Sequence, residues 1–148
     1  MIRDESGRWS APRTLLKGGG AGSWSPDGTK IATQMRVGEG KFAVVVIPAK
    51  GGAPLVVGRP QDRADGGIGW AFSRDNKFVY YLFKKSTDQR PGIWRVSVNG
   101  GASRPLAWYE GPPGGFARSL LRVRGDRFYI NIGDPQSDVW VTEIAVQR

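Results

Sequence analysis

Apolar and polar residues alternate in short runs along this chain, and the runs recur. Gly22-Ser23-Trp24-Ser25-Pro26-Asp27-Gly28-Thr29-Lys30-Ile31 is an apolar segment, a tight polar turn and the start of a second apolar segment. Trp70-Ala71-Phe72-Ser73-Arg74-Asp75-Asn76-Lys77-Phe78-Val79 repeats it about fifty residues later, a period typical of sheet-built repeat units. Leu121-Arg122-Val123-Arg124-Gly125-Asp126-Arg127-Phe128-Tyr129 is a weaker third copy. Each copy is followed by another apolar run: Val44 to Ile47 before Gly51-Gly52-Ala53, Ile93 to Val96 before Gly100-Gly101-Ala102, and Val139 to Val141 near the end. Apolar runs of this length, bounded by Gly, Pro, Asn and Asp, read as strands joined by tight turns. No stretch has sustained helical periodicity, and none is long enough to cross a membrane as a helix.

The pattern predicts strands near 20–25, 30–36, 42–48 and 53–57, then 67–73, 77–83, 92–98 and 103–107. A third group lies near 117–123, 127–132 and 138–145. Several strands per unit at this period predict an all-β fold, a β-propeller segment of about three four-stranded antiparallel blades. The expected division is 1–17 as the outer strand of a preceding blade, with its strand at 12–16, and 18–58 as blade one. Residues 65–108 form blade two, and 115–148 form blade three without its outer strand. So few blades would strain a closed ring, and both end faces are expected to be apolar. A second copy exchanging outer strands would complete a six-bladed homodimer.

The turns carry specific chemistry. In Ser25-Pro26-Asp27-Gly28, Pro presets the second position and Gly takes the left-handed one. Asp75-Asn76 reads as the same turn one residue shorter, since Asn tolerates the left-handed region. Lys30, Lys77 and Arg127 then fall at equivalent places, as solvated strand starts.

These residues resemble the TolB-like β-propeller family, whose repeat is an aromatic followed by Ser-Pro-Asp-Gly, Lys and an apolar strand. Trp24 to Gly28 with Lys30 match it closely, Phe72 to Lys77 match it in degraded form, and the third unit keeps only the apolar frame. The stretch Arg127 to Gly133, with Gln136 to Val141, is also similar to the C-terminal end of propellers attached to bacterial serine/threonine protein kinases. The resemblance implies a non-catalytic module binding a protein or peptide. Its alternatives are a regulatory sensor end of such a kinase, or the gating propeller of a prolyl-oligopeptidase-type hydrolase. The chain holds neither kinase motifs nor a Gly-x-Ser-x-Gly elbow. The family resemblance permits a periplasmic location, although the first residues lack a signal peptide's apolar core.

Composition narrows the chemistry. The 148 residues contain no His and no Cys, which removes histidine bases, imidazole zinc ligands, disulfides and thiolate sites. The few acids fall mostly in turns, so no catalytic residue, metal site or cofactor is expected. Gly18 to Gly20 and Gly111 to Gly115 open no helix and are not phosphate loops. Asp62 and Asp65 lack the ligand spacing of a calcium loop. A formal charge of +9 implies weak nonspecific attraction to polyanions.

Trp24, Trp94 and Trp140 recur at strand-central positions and read as packing between units. Trp108 and Tyr109 open a Pro-Gly-rich connection at a rim and are candidate binding residues. Arg122 and Arg124 are the other candidates, two residues apart on one strand and hence on one face. Leu121 and Val123, not aromatics, are interleaved with them, so no stacking platform for nucleic acid is visible along this strand.

Overall fold

The computed structural model describes residues 6–8, 11–58, 61–62, 69–84, 91–110, 121–133 and 139–145. Among them there is no helix, and all strand pairs are antiparallel. The first sheet runs β1 (Ser23–Trp24), β2 (Lys30–Arg36), β3 (Lys41–Pro48) and β4 (Leu55–Val56). A short β5 (Gln61–Asp62) continues along the same edge of β3. Between β4 and β5 the amides of Val57 and Gly58 both donate to Val44 O, at 2.9 and 3.2 Å, which is the local kink of a bulge. The second sheet is β6 (Trp70–Phe72), β7 (Phe78–Lys84), β8 (Pro91–Ser97) and β9 (Arg104–Trp108). The third is β10 (Leu121–Arg124), β11 (Arg127–Gly133) and β12 (Val139–Ala145).

The first hairpins of sheets one and two are held by the same hydrogen bonds. Ser25 Oγ donates to Asp27 Oδ1 at 2.6 Å and accepts from Lys30 N at 2.9 Å. Ser73 Oγ donates to Asp75 Oδ1 at 2.6 Å and accepts from Phe78 N at 2.9 Å. Thr29 N and Lys77 N donate to the same two carboxylate oxygens. Gly28 and Asn76 sit at φ 69° and 59°, the left-handed position that Asn reaches because its short side chain tolerates it. Both serines are buried, yet both hydroxyls are satisfied, so their burial carries no desolvation penalty.

This geometry corrects two expectations. The turns have equal length, since Trp24 pairs with Ile31 and Phe72 with Val79. Lys77 is therefore the counterpart of Thr29, and Lys30 that of Phe78. Matching lysine to lysine slips the alignment by one residue, which on a strand exchanges the two faces.

Sheet two is the middle of a stack. Its first strand, β6, lies beside β1 and β2 on one side and beside β10 on the other. Toward sheet one it presents Trp70, Phe72, Val79, Tyr81, Val96 and Val98, which cluster with Ala32, Val44 and Val46. Toward sheet three it presents Ala71, Leu82 and Ile93, which cluster with Leu121, Phe128 and Ile130. Tyr80 meets Phe128 edge to face at 4.9 Å. Alternation along β7 thus buries both faces of one strand, each against a different neighbour. One polar bond fixes the first interface: Trp70 Nε1 donates to Ala21 O at 2.9 Å.

Elsewhere the structure departs from the sequence pattern. Residues 12–16 form no strand. The segment before β1 is instead tied to sheet one by the Gly19–Met35 bridge and by Arg13 Nη2 donating to Ala49 O. Trp24 does not pack between units; it is 59 % exposed. Trp70 is buried at the first interface, and Trp94 is half-buried against the same cluster. Trp140's side chain lies outside the described residues. Nor is the outer face of sheet one an open apolar surface. Ala43, Val45 and Ile47, turned away from sheet two, are buried. On sheet three Leu121, Phe128 and Ile130 face sheet two, so Arg122, Arg124, Arg127 and Tyr129 take the outward face along β10 and β11, which the register continues through the positions of Val139, Val141, Glu143 and Ala145 on β12.

Candidate functional site

The outer end of sheet two builds an aromatic shelf. Phe83, Gly92 and Trp108 lie in one row across β7, β8 and β9, since Phe83 pairs with Gly92 and Gly92 with Trp108. The missing side chain at Gly92 makes the shelf. A Cβ there would stand 2.9 Å from Trp108 Cε3 and 3.0 Å from Ala107 O. The Trp108 ring is therefore laid directly over the Gly92 backbone. Trp94, the next residue on this face of β8, meets both neighbours edge to face. Its ring centroid is 5.5 Å from Phe83 and 6.0 Å from Trp108.

Trp108 is 39 % exposed despite these contacts. It is an aromatic whose ring is fixed by neighbours while part of its surface stays in water. Trp94 Nε1 is buried and has no acceptor among the described residues. Tyr109 follows at the strand end, half-buried, and Glu110 beside it is exposed. The connection beyond, 111–120, with the rest of the Pro-Gly run and Arg118, lies outside the described residues.

The two pairs of candidate residues are not brought together. Trp108 lies on the side of sheet two that faces sheet one. Arg122 and Arg124 lie on the side of sheet three that faces away from sheet two. Both arginines are exposed, and Arg122 Nη1 donates to its neighbour Leu121 O at 3.3 Å. The structure also brings to these candidates residues that were not expected beside them. Gly92, Phe83 and Trp94 shape the Trp108 shelf, and Arg127 and Tyr129 stand directly opposite Arg124 and Arg122. The signal for both was register, which follows only once the turn lengths are known.

Two carboxylates are shifted by the hairpin turns they close. Asp27 is held down at about 2, first by the Ser25 hydroxyl, then by the Thr29 amide and hydroxyl. Asp75 is lowered chiefly by Ser73, then by the Lys77 amide. These carboxylates serve the turns. Among the described residues no three acidic side chains converge where they could hold a metal. Among the described residues no helix is long and apolar enough to cross a membrane. The chain matches no protein-family model and no curated protein sequence.

Proposed function

We propose that the three sheets are consecutive blades of a TolB-like β-propeller segment, and that the chain is a non-catalytic module docking a protein or peptide segment at the Trp108 rim. The blade reading is supported by the side-by-side placing of β1, β6 and β10 and by the two matched Ser-Asp turns. Stacked antiparallel meanders whose first strands adjoin are what a propeller is made of.

The observation that carries the docking reading is Trp108 itself. An exposed indole normally loses rotamer freedom when a partner covers it. Here Gly92 beneath and Trp94 at its edge have already restricted the ring. Binding energy at such an anchor is not spent on ordering it. Tyr109 extends the surface along the same strand end.

The test is selection from a phage-displayed peptide library on the immobilised chain, repeated on Trp108→Ala. Peptides enriched on the wild type should bind Trp108→Ala at least about tenfold more weakly, the size of a hot-spot truncation. No enrichment, or peptides that bind both proteins equally, contradicts the reading.

A further inference from the structure

The outward face of sheet three differs in kind from the two faces that make sheet contacts. Sheet one offers sheet two Ala32, Val44 and Val46, and sheet two offers sheet three Ala71, Leu82 and Ile93. Sheet three offers Arg122, Arg124, Arg127 and Tyr129. The three arginines are exposed and Tyr129 is half-buried. Arg122 pairs with Tyr129, and Arg124 pairs directly with Arg127. Like charges directly opposite one another do not attract across a ladder. A dry contact of the kind found at the two inner interfaces would take these guanidinium groups out of water, at a desolvation cost that an apolar face does not carry.

We propose that this face binds single-stranded nucleic acid, with Arg122 and Arg124 on successive phosphates and Tyr129 stacking against a base. This goes beyond the peptide-docking reading and uses a different surface. The face carries the two elements that such binding needs, cations tracking a backbone and an aromatic beside them. The aromatic is absent along β10 but supplied from across the ladder by β11. Arg122 and Arg124 stand about 6.7 Å apart along the strand, two residues on the same side. All three cations are guanidinium groups, whose planar fork matches phosphate oxygens in pairs. A broad sheet face does not enter the groove of a duplex as a helix or two-stranded ribbon does, which favours a single strand. An acidic peptide would satisfy the charges and leave the tyrosine unused. Glu143 on β12 holds the register position opposite Tyr129.

Fluorescence anisotropy with labelled oligothymidylate and oligouridylate of about fifteen nucleotides tests the proposal, since such lengths span a typical single-strand site. Arg122→Gln/Arg124→Gln should bind at least about tenfold more weakly at physiological salt. Its log affinity against log salt should be shallower by about 1.4, the loss of two phosphate contacts on a single strand. Tyr129→Leu should lose about tenfold while Tyr129→Phe binds as the wild type does, the mark of stacking. Lys41→Gln/Lys50→Gln removes the same charge from exposed positions elsewhere and should change the affinity by less than about twofold. Thermal melts of every variant separate lost binding from lost folding. Four results would overturn the proposal: no binding at about 50 mM salt, equal losses in the two double variants, equal binding of a duplex, or a polyglutamate peptide that displaces the oligonucleotide at equal charge.

Discussion

Trp24 and Phe72 occupy the same place in two copies of one hairpin, and their environments are opposite. Each precedes a Ser-x-Asp turn closed by the same hydrogen bonds, and each pairs across to a β-branched aliphatic residue, Ile31 or Val79. Phe72 is 5 % exposed and Trp24 is 59 % exposed. The backbone is the same at both sites; the neighbour is not. Phe72 faces sheet one across the first interface, whereas Trp24 points to the side where no sheet of the described chain stands. A repeat motif therefore specifies its turn and its pairing locally, while burial depends on what stacks against it.

The largest expected effect breaks this symmetry. Phe72→Ala should destabilise the chain by about 3–5 kcal/mol, the cost of emptying a packed aromatic site. Trp24→Ala should cost less than about 1 kcal/mol, because most of its surface is already in water. Urea denaturation of both variants checks this, and equal losses would remove the distinction.

The next effect should restore the symmetry. Ser25→Ala and Ser73→Ala each leave a strand-start amide, of Lys30 or Phe78, without its acceptor. Each should cost about 1–3 kcal/mol, in line with an unsatisfied buried donor. The two losses should agree within about 0.5 kcal/mol if the turns are as alike as their bonds indicate. A large difference in the same denaturation experiment would mean that one turn is carried by its surroundings.

Smaller effects are expected at the left-handed positions. Gly28→Val and Asn76→Val should each cost about 1–2 kcal/mol, since a branched side chain is strained there. Asn76→Gly should be within about 0.5 kcal/mol of wild type, as the relaxed backbone in the folded state is offset by a freer unfolded chain. Thermal melts followed by far-ultraviolet circular dichroism distinguish these outcomes.

The smallest is a pH effect. Asp27 titrates lower in the folded chain than in the unfolded one, because its charged form accepts from Ser25 and Thr29. The stability it supplies is complete above about pH 4, the ordinary carboxylate value, and is lost as pH falls toward about 2. Asp75 is lowered in the same direction. The denaturation midpoint should drop through this window, and more shallowly in Asp27→Asn. A profile unchanged by that substitution would show that the hydroxyl contacts do not bias the carboxyl.

Much of the strand order was legible because strand and turn signals are local. The strands around Lys30–Arg36, Lys41–Pro48, Phe78–Lys84 and Arg127–Gly133 follow from apolar runs bounded by Gly, Pro, Asn and Asp. Register was not legible at the second turn. Residue type aligned Lys30 with Lys77, but the hydrogen-bonded ring is closed by the Ser-to-Asp spacing, which sets Lys77 beside Thr29 instead. Burial was less legible still, as Trp24 shows. The candidate sites divide in the same way. Trp108 as an exposed aromatic followed from its place before a Pro-Gly run. The Gly92 support beneath it did not, because a strand glycine becomes informative only when its cross-strand partners are known. The Arg122–Tyr129 pair was hidden for the same reason, since the two residues meet through the ladder and not along the chain.

The central claim is that sheet two is buried on both faces, between sheet one and sheet three. Nuclear Overhauser spectroscopy on the labelled chain tests it most directly. Close contacts should appear between the Tyr80 and Phe128 rings, whose centroids are 4.9 Å apart, and between the Trp70 indole proton and the backbone around Ala21. The Trp70 indole proton should also exchange slowly with solvent while that of Trp24 exchanges fast. Slow exchange at Trp24 with no contact from Trp70 or Phe128 to a neighbouring sheet would contradict the stack.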